Sequence, residues 1–335
     1  MEAHQAGFHP VCDYLTGLAW DGAPRLGDWL VSYAGATPSD YVRAVGALPL
    51  VAAVRRVRRP GCKFDELLVL ESAQGTLKSS ALRALCPDES WFSDDLPLGV
   101  DSKHVIERTA GKWIIEAAEM HGNRGREVEQ LKAFLSRQVD GPVRLAYGRL
   151  PVEVPRQFVM IGTTNASAAY LKDFTGARRF WPVRVQRFDI AALERDRDQL
   201  WAEAAHREAG GESLRLHSDL WAAAGEQQEQ RRAADPWEDV LEPLLDGDED
   251  VIAADAVWAA LGVQASCRDN RHADRVSAIL QRHGWEKRKV RAMTGARPAW
   301  HWVRVPSCSE QRSDQPADFP LCSNRSDRSK QYIGE

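Results

Sequence analysis

The sequence predicts an α/β fold: a core of buried strands and helices, preceded by a helical region and followed by a small module of helices and strands. Three observations predict it. Short apolar runs at residues 67–70, 113–115 and 158–161 are separated by amphipathic stretches, as in α/β cores. Residues 28–35 and 41–57 carry apolar side chains at helical spacing. Towards the C-terminus the local charge changes from acidic to basic.

These patterns divide the chain into four segments. Residues 1–63 form the helical region, and residues 64–234 form the core with a helical follow-on rich in Ala, Glu and Arg. Residues 235–305 form the small α+β module. Residues 306–335 are rich in Ser, Asp, Arg and Gln, and we expect them to be a disordered tail.

Composition excludes several classes of protein. Of 335 residues, 44% are hydrophobic and 27% are charged, a globular balance. The formal net charge of −4 excludes a uniformly basic coat for nucleic acid, but not a local basic face. No apolar run approaches the roughly 18 residues of a membrane span, and the N-terminus lacks the features of a signal peptide. Six cysteines without a CxxC pair are typical of reduced thiols. We expect a cytoplasmic protein with no membrane partner.

The first apolar run leads into a candidate phosphate-binding loop. The order is strand, loop, Lys78-Ser79, then a helical pattern, which is the context of a P-loop. In such a loop the backbone amides and the helix N-terminus cradle phosphates, the lysine pairs with the β- and γ-phosphates, and the hydroxyl holds Mg²⁺. The predicted ATP contacts are Ser72, Ala73, Gln74, Gly75, Thr76, Leu77, Lys78, Ser79 and Ser80. Because Ser72 and Leu77 stand where the pattern has glycine, an ordinary strand–turn–helix remains the alternative.

Polar residues follow the other two apolar runs. Glu116 directly follows one of them and Glu119 comes three residues later, where NTPases place an acid that binds Mg²⁺ and a second acid that polarises water. The alternative is a solvated acidic turn. Asn165 ends the third run, where its amide could orient the attacking water or touch the γ-phosphate. A helix cap or a turn is the alternative for this residue.

Arg178 and Arg179 stand beside Phe180 and Trp181. A guanidinium held by aromatic rings could act as an arginine finger across a subunit boundary. A surface cation–π patch is the alternative.

Taken together, the motifs resemble the virulence-associated protein E family of phage, plasmid and genomic-island proteins, which belongs with superfamily-3-like replicative helicases. The resemblance covers roughly residues 8–185, and more loosely the chain to about 304. It is carried by Trp20-Asp21-Gly22, Pro24-Arg25-Leu26, Pro60-Gly61-Cys62-Lys63-Phe64-Asp65, Gln74-Gly75, Lys78-Ser79, Trp91-Phe92-Ser93-Asp94, Gly111-Lys112-Trp113, Glu116, Glu119, Pro155-Arg156-Gln157-Phe158, Gly162-Thr163-Thr164-Asn165 and Arg178-Arg179-Phe180-Trp181-Pro182.

The resemblance implies an oligomeric, AAA+-like P-loop ATPase of the superfamily-3 helicase type that acts on DNA in replication of a mobile element. Lys78 and Ser79 become Walker A residues, Glu116 and Glu119 the Walker B acids, and Asn165 the sensor. Arg178 or Arg179 becomes the finger, which requires a neighbour in a ring. Related proteins often carry a primase-like domain upstream. None is visible in this sequence, and a separate primase is one possible partner.

Superfamily-3 helicases also place a DNA-contacting hairpin between the acids and the sensor. Residues 142–154 lie in that interval and alternate like a hairpin. Arg144 and Arg149 could contact phosphates, and Tyr147 could stack on a base. A surface hairpin with solvated arginines is the alternative.

The C-terminal module is the other candidate for DNA binding. Residues 235–257 hold nine acidic residues and no Lys or Arg, whereas residues 267–304 hold ten Lys or Arg against three acids. Helices ending in a strand indicate a winged-helix-like module. The residues predicted to contact DNA are Arg282, Lys287, Arg288, Lys289 and Arg291. Alternatively, the two blocks pair with each other. A further basic cluster at residues 55–59 is either a DNA contact or a solvated face.

Two functions follow from these predictions. The first is a DNA-dependent ATPase or helicase that uses ATP and Mg²⁺ at subunit interfaces. The second is a non-motor DNA-binding or assembly protein with a degenerate P-loop, which the residues at positions 72 and 77 would allow.

Overall fold

The computed structural model describes residues 9–118, 125–144, 150–165, 177–232, 235–247, 249–290 and 299–305. The chain divides into two compact units, Met1–Ala234 and Asp235–Glu335. The predicted helical region and the predicted core therefore belong to one unit. Within the described ranges, no helix is long and apolar enough to cross a lipid bilayer.

The first unit is a mixed α/β assembly around a five-stranded parallel sheet, which confirms the α/β prediction. In chain order its elements are α1 (Pro10–Thr16), α2 (Trp29–Ala34), α3 (Asp40–Arg58), β1 (Leu67–Glu71), α4 (Lys78–Ala84), β2 (Phe92–Ser93), α5 (Ser102–Thr109), β3 (Ile114–Ala117), α6 (Gly125–Ser136), β4 (Val139–Val143), β5 (Val152–Pro155), β6 (Val159–Thr164), β7 (Phe180–Arg184), α7 (Ile190–Ala209) and α8 (Trp221–Glu229).

The strand order in this sheet is β2-β3-β6-β1-β7, and every neighbouring pair is parallel. β1, β3 and β6 are buried along their whole length, as expected for parallel strands covered on both faces. These are the three strands that the apolar runs predict. The apolar runs do not predict β2 and β7, because β2 has two residues and β7 contains Pro182. A strand at the edge of a sheet tolerates proline, and β7 lies at the edge.

Helices cover both faces of the sheet. Leu68 and Leu70 of β1 pack into a large core shared with α1, α2, α3, α4 and α7. Leu67 and Val69 point to the other face, where α5 and α6 complete a second core. The carboxyl ends of β1, β3 and β6 therefore meet at one edge of the sheet, between two packed layers, and this edge holds the candidate site.

The predicted basic cluster at residues 55–59 lies at the end of α3 and serves the fold. The buried guanidinium of Arg56 donates to the carbonyl oxygens of Cys62, Phe64 and Phe158. Arg55 and Arg58 both pair with Glu208 of α7. Burial by itself would raise the pKa of Glu208, but hydrogen bonds from the two arginines outweigh burial and lower it. These three arginines join α3 to its surroundings and do not form a solvated basic face.

The second unit is smaller and contains α9 (Pro236–Leu245), β8 (Val251–Ala253), α10 (Ala254–Ala260), α11 (Asn270–Arg282), β9 (Trp285–Val290) and β10 (Ala299–Arg304). Its antiparallel sheet has the order β8-β10-β9. Trp285 and Trp302 of the sheet pack against Val276 and Ile279 of α11 in one core. Asp235 caps α9 and Asp269 caps α11, each by accepting a backbone N–H bond.

Candidate functional site

The candidate phosphate loop, residues 72–77, joins the end of β1 to the start of α4. Gly75 has a φ of +82° and Leu77 has a φ of +67°. Leu77 is the only residue other than glycine with a positive φ in the described ranges. The loop therefore keeps the left-handed backbone that a glycine before the lysine would adopt, although a leucine occupies the position. A leucine in this conformation costs about 1–2 kcal/mol.

The base of the loop is anchored by a buried ion pair. Glu71, the last residue of β1, accepts three hydrogen bonds of 2.8–3.0 Å from the guanidinium of Arg231. Both side chains are almost fully buried. Sequence reasoning misses Arg231, because nothing local to it indicates that it reaches a strand 160 residues away.

Lys78, the first residue of α4, directs its ammonium group back into the loop. Nζ lies 2.8 Å from Oγ of Ser72, 3.1 and 3.2 Å from the carbonyl oxygens of Ser72 and Ala73, 3.4 Å from Oγ1 of Thr76 and 3.1 Å from Oδ1 of Asn165. An ammonium has only three protons, so it shares them among these oxygens. Burial lowers the pKa of Lys78, and the Glu116 carboxylate opposes this shift. A bound phosphate would have to replace some of these contacts.

Glu116 lies inside β3 and is 1% exposed, so it is not part of a solvated acidic turn. Its Oε1 accepts hydrogen bonds from Oγ of Ser79 at 2.8 Å and from Oγ1 of Thr163 at 2.5 Å. The predicted Mg²⁺ pair, Ser79 and Glu116, is therefore in direct contact. Thr163 is a further member of the site that sequence reasoning misses. The run of polar residues at the end of β6 is the signal that could have indicated it. Glu119 lies outside the described residues.

Asn165 directly follows β6 and reaches Lys78 across the carboxyl edge of the sheet. A cavity of about 320 Å³ opens there. It is lined by Gln74, Gly75, Thr76, Leu77, Lys78, Ser79, Ser80, Glu116, Ala118, Thr163, Thr164 and Asn165. Every predicted ATP contact thus lines the cavity or belongs to the loop that encloses it. Among the described residues, no group of three or more His, Cys, Asp or Glu side chains is placed to hold a metal ion.

Arg178 and Arg179 lie at the amino ends of the strands, on the side of the sheet opposite the phosphate loop; we call this side the amino edge. They precede β7, which runs parallel to β1, so they lie near its amino end. A strand of five residues spans roughly 16 Å, so neither arginine reaches the phosphate loop of its own chain. Nε of Arg179 pairs with Oδ2 of Asp65 at 3.2 Å. Arg178 is exposed and has no ion-pair partner among the residues that the structure describes.

The two arginines line a second cavity of about 840 Å³ at this amino edge. Lys63, Arg215 and the largely exposed Trp221 also line it. Asp65, Glu66 and Glu212 line it too, so the cavity carries charges of both signs.

The predicted DNA contacts are divided between the hairpin and the second unit. β4 pairs with β5 as an antiparallel hairpin, and Arg144 is exposed directly after β4. Tyr147 and Arg149 lie outside the described residues, as does Arg291. In the second unit, Arg282 pairs with Glu238 and Arg288 with Glu286, each at 2.6 Å. Lys287 and Lys289 lie on β9 beside Trp300.

The fold and the site define a mixed α/β protein whose parallel sheet carries a lysine, a serine, a buried glutamate and an asparagine around one cavity at its carboxyl edge. The family model described as the virulence-associated protein E-like domain matches residues 15–233. The chain belongs to this family, which confirms the resemblance found in the sequence. The match covers the first unit almost entirely.

Solved structures of one further protein are similar to the chain. The apo structure of the NrS-1 C terminal region has 12% sequence identity and a TM-score of 0.47, and the match covers 87% of this chain and 78% of that chain. A second apo structure of this region, in its A form, has 13% identity and a TM-score of 0.44 with the same coverage. The comparison with curated proteins gives no match.

Proposed function

We propose that the protein is a DNA-dependent ATPase of the helicase type that acts in replication of a phage or other mobile genetic element. One observation carries the proposal. Lys78 and Ser79 on α4, Glu116 on β3 and Asn165 after β6 surround a single cavity, although they are far apart in sequence. These are the side chains that phosphoryl transfer requires: a cation, a hydroxyl, an acid and an amide. Membership of the virulence-associated protein E-like family supports the role in a mobile element.

The residues of the cavity fit ATP and Mg²⁺. The loop amides and the Lys78 ammonium would bind the phosphates, and the Ser79 hydroxyl and Glu116 carboxylate are oxygen ligands of the type that Mg²⁺ takes. Because Mg²⁺ keeps water and phosphate oxygens as ligands, two protein oxygens are sufficient. When bound, the ion neutralises phosphate charge.

The chain's own residues then have distinct tasks. Lys78 leaves some of its loop partners to pair with phosphate oxygens, and Asn165, released from Lys78, is placed to orient a water or to contact the γ-phosphate. Thr163 keeps the Glu116 carboxylate turned towards Ser79. Glu119 remains the candidate for the second acid.

The arginine finger would come from a neighbouring copy. Neither arginine reaches the site of its own chain, and Arg179 is already held by Asp65. We therefore assign the finger to Arg178, which is exposed. This assignment requires self-association, with the amino edge of one sheet facing the carboxyl edge of the next, as in a ring. A separate primase would supply primers to such a motor.

DNA would be engaged by the β4–β5 hairpin and by the second unit. Leu150, Val152 and Val154 of the hairpin are exposed, so the hairpin offers a surface beside Arg144. The order helix, strand, helix, helix, strand, strand in the second unit supports a winged-helix-like module. It would serve as the DNA-binding part of the protein.

A non-motor DNA-binding protein with a degenerate loop is the second candidate. The observations that favour it are the leucine at a positive φ and the Lys78 ammonium bound to its own loop. In this case nucleotide would bind weakly, and the second unit would carry the function.

Steady-state ATP hydrolysis, with and without single-stranded DNA, separates the two candidates. We expect turnover that DNA stimulates and that Lys78→Ala abolishes. Lys112→Ala is the matched control, because Lys112 also donates to backbone carbonyl oxygens, those of Ser90 and Phe92, but lies outside the cavity. Absence of turnover above the Lys78→Ala background, at concentrations that allow assembly, would overturn the motor and favour the second candidate.

A further inference from the structure

The basic block of the second unit separates into two parts. Most of its described arginines pair with carboxylates, largely from the acidic block: Arg268 with Asp255, Arg275 with Asp235, Arg282 with Glu238, Arg288 with Glu286 and Arg304 with Asp250. The acidic and basic blocks therefore largely neutralise each other inside this unit. Lys287 and Lys289 differ, because no described carboxylate lies within ion-pair distance of either ammonium.

The two lysines instead surround an exposed aromatic ring. Trp300 lies on β10 directly opposite Lys289 in the β9–β10 register, and Lys287 is its diagonal neighbour on the same face. The ammonium nitrogens of Lys287 and Lys289 lie 5.4 and 5.2 Å from the centre of the Trp300 ring. Trp300 is 49% exposed, whereas Trp302 on the same face is buried in the core.

We propose that Trp300, Lys287 and Lys289 form a stacking platform for single-stranded nucleic acid. The ammonium groups of Lys287 and Lys289 lie over the exposed indole. When they turn to pair with the phosphates of a single strand, an unpaired base can stack on the ring that they leave. A base inside a duplex already stacks on both sides, so the platform prefers a strand without a complement. This proposal deepens the proposed function by naming the form of DNA, and it rests on that function only for the choice of DNA over RNA.

The charges distinguish this surface from an apolar docking site. The ring is framed by two cations without described carboxylate partners, which favours a polyanion over an apolar helix or a second copy of the same basic hairpin. A polyanion without bases, such as an acidic membrane surface, would bind the lysines but has no base to stack on the Trp300 ring. The test separates these ligands.

The experiment measures binding of the full chain to a fluorescent oligodeoxythymidylate without nucleotide, so that ATP turnover does not enter the readout. We expect Trp300→Ala to weaken binding about 5- to 150-fold and Trp300→Phe to retain most of it, since stacking is worth about that factor per base. Lys287→Ala and Lys289→Ala should each lower the slope of log affinity against log salt by about 0.7. Trp221→Ala, at an exposed tryptophan of the first unit, and Arg268→Ala, at a paired arginine of the second, are matched controls with little expected effect.

Three results would overturn the platform. The first is unchanged affinity for the oligonucleotide both in Trp300→Ala and in the Lys287→Glu/Lys289→Glu double variant. The second is tighter binding of the matching duplex than of the single strand. The third is binding to phosphatidylserine-containing vesicles but not to the oligonucleotide. Circular dichroism of each variant shows whether the unit remains folded, and the double variant keeps the test valid if Trp300→Ala unfolds. The affinity for an oligoribouridylate, compared with that for the oligodeoxythymidylate, tests whether the platform prefers DNA to RNA. If the oligonucleotide binds as expected but ATP is not hydrolysed, the platform stands and the motor fails.

Discussion

The ammonium nitrogen of Lys78 lies 3.1 Å from Oδ1 of Asn165, and this contact joins the phosphate loop to the end of β6. The lysine that would bind phosphate and the amide that would detect it are thus in contact before nucleotide enters. A phosphate that draws Lys78 away also frees Asn165. In the proposed ATPase, this contact would let nucleotide binding change the position of the candidate sensor.

Replacing this amide by a carboxylate tests the contact. We expect Asn165→Asp to raise the Kd for ATP at least about 10-fold, because the new charge pairs with Lys78 and repels phosphate. Asn165→Ala removes the oxygen without adding charge, so it should change the Kd by less than about 3-fold while lowering turnover. Calorimetric titration with ATP and Mg²⁺ measures the Kd, and steady-state hydrolysis measures turnover. Equal ATP affinity of Asn165→Asp and the wild type would contradict the proposed role of this edge.

Complementation between two inactive variants tests the assignment of Arg178 to a neighbouring site. A finger contributes about 10³- to 10⁵-fold in rate, so Arg178→Ala alone should be nearly inactive, as should Lys78→Ala. In an equimolar mixture, about a quarter of randomly formed interfaces combine an intact loop with an intact finger. We expect hydrolysis to recover towards that fraction.

The matched variant for this experiment is Arg179→Ala. This variant keeps the exposed Arg178 and loses the ion pair between Arg179 and Asp65. It should retain far more activity alone than Arg178→Ala. If both inactive variants assemble but the mixture shows no recovery, the finger is not supplied in trans by Arg178.

The positive φ of Leu77 predicts an unusual order of stability between two variants. At a position with ordinary backbone angles, an alanine variant is more stable than a glycine variant by about 0.5–1 kcal/mol, because glycine gives the unfolded chain more conformational freedom. At a φ of +67° the Cβ atom costs about 1–2 kcal/mol, which outweighs that difference. Leu77→Gly should therefore unfold at higher denaturant concentration than Leu77→Ala. Greater stability of the alanine variant would show that the backbone at this position changes to an ordinary conformation.

Asp235 predicts a pH dependence of the second unit's stability. Burial by itself would raise the pKa of its carboxyl, but hydrogen bonds from Arg275 and from the Trp237 amide outweigh burial and hold the pKa below the ordinary 3.8. A carboxyl with a lowered folded pKa stabilises the fold above its unfolded pKa, and this stabilisation is lost as the pH falls through the folded pKa. We expect Asp235→Asn to cost about 1.5–3 kcal/mol at pH 7 and progressively less below pH 4.

Thermal unfolding of the full chain at pH 7 and at pH 3 measures this difference. Asp255→Asn is the control, since that side chain is 93% exposed and its pair with Arg268 at 3.4 Å should contribute less than about 1 kcal/mol. A cost for Asp235→Asn that stays constant between the two pH values would contradict the prediction.

Much of the candidate site can be predicted from sequence because its parts are local. A strand, a loop and a Lys-Ser pair identify the phosphate loop around Lys78, and an apolar run identifies the strand that carries Glu116. Thr163 and Arg231 escape such reasoning. A threonine at a strand end and an arginine at a helix end are common, and their importance here comes from partners on distant elements, Glu116 and Glu71.

The α/β core, the family and the order of the motifs follow from the amino-acid sequence, because apolar runs and short motifs depend on neighbouring residues. The partners of the charged side chains, in contrast, are known only from the packing of the elements in three dimensions. The basic block predicted to bind DNA is largely neutralised inside its own unit, with Lys287 and Lys289 among the described exceptions. Arg178 is separated from the site of its own chain by the length of a strand. Ion pairing and reach depend on distances through space, which are set when strands and helices pack together.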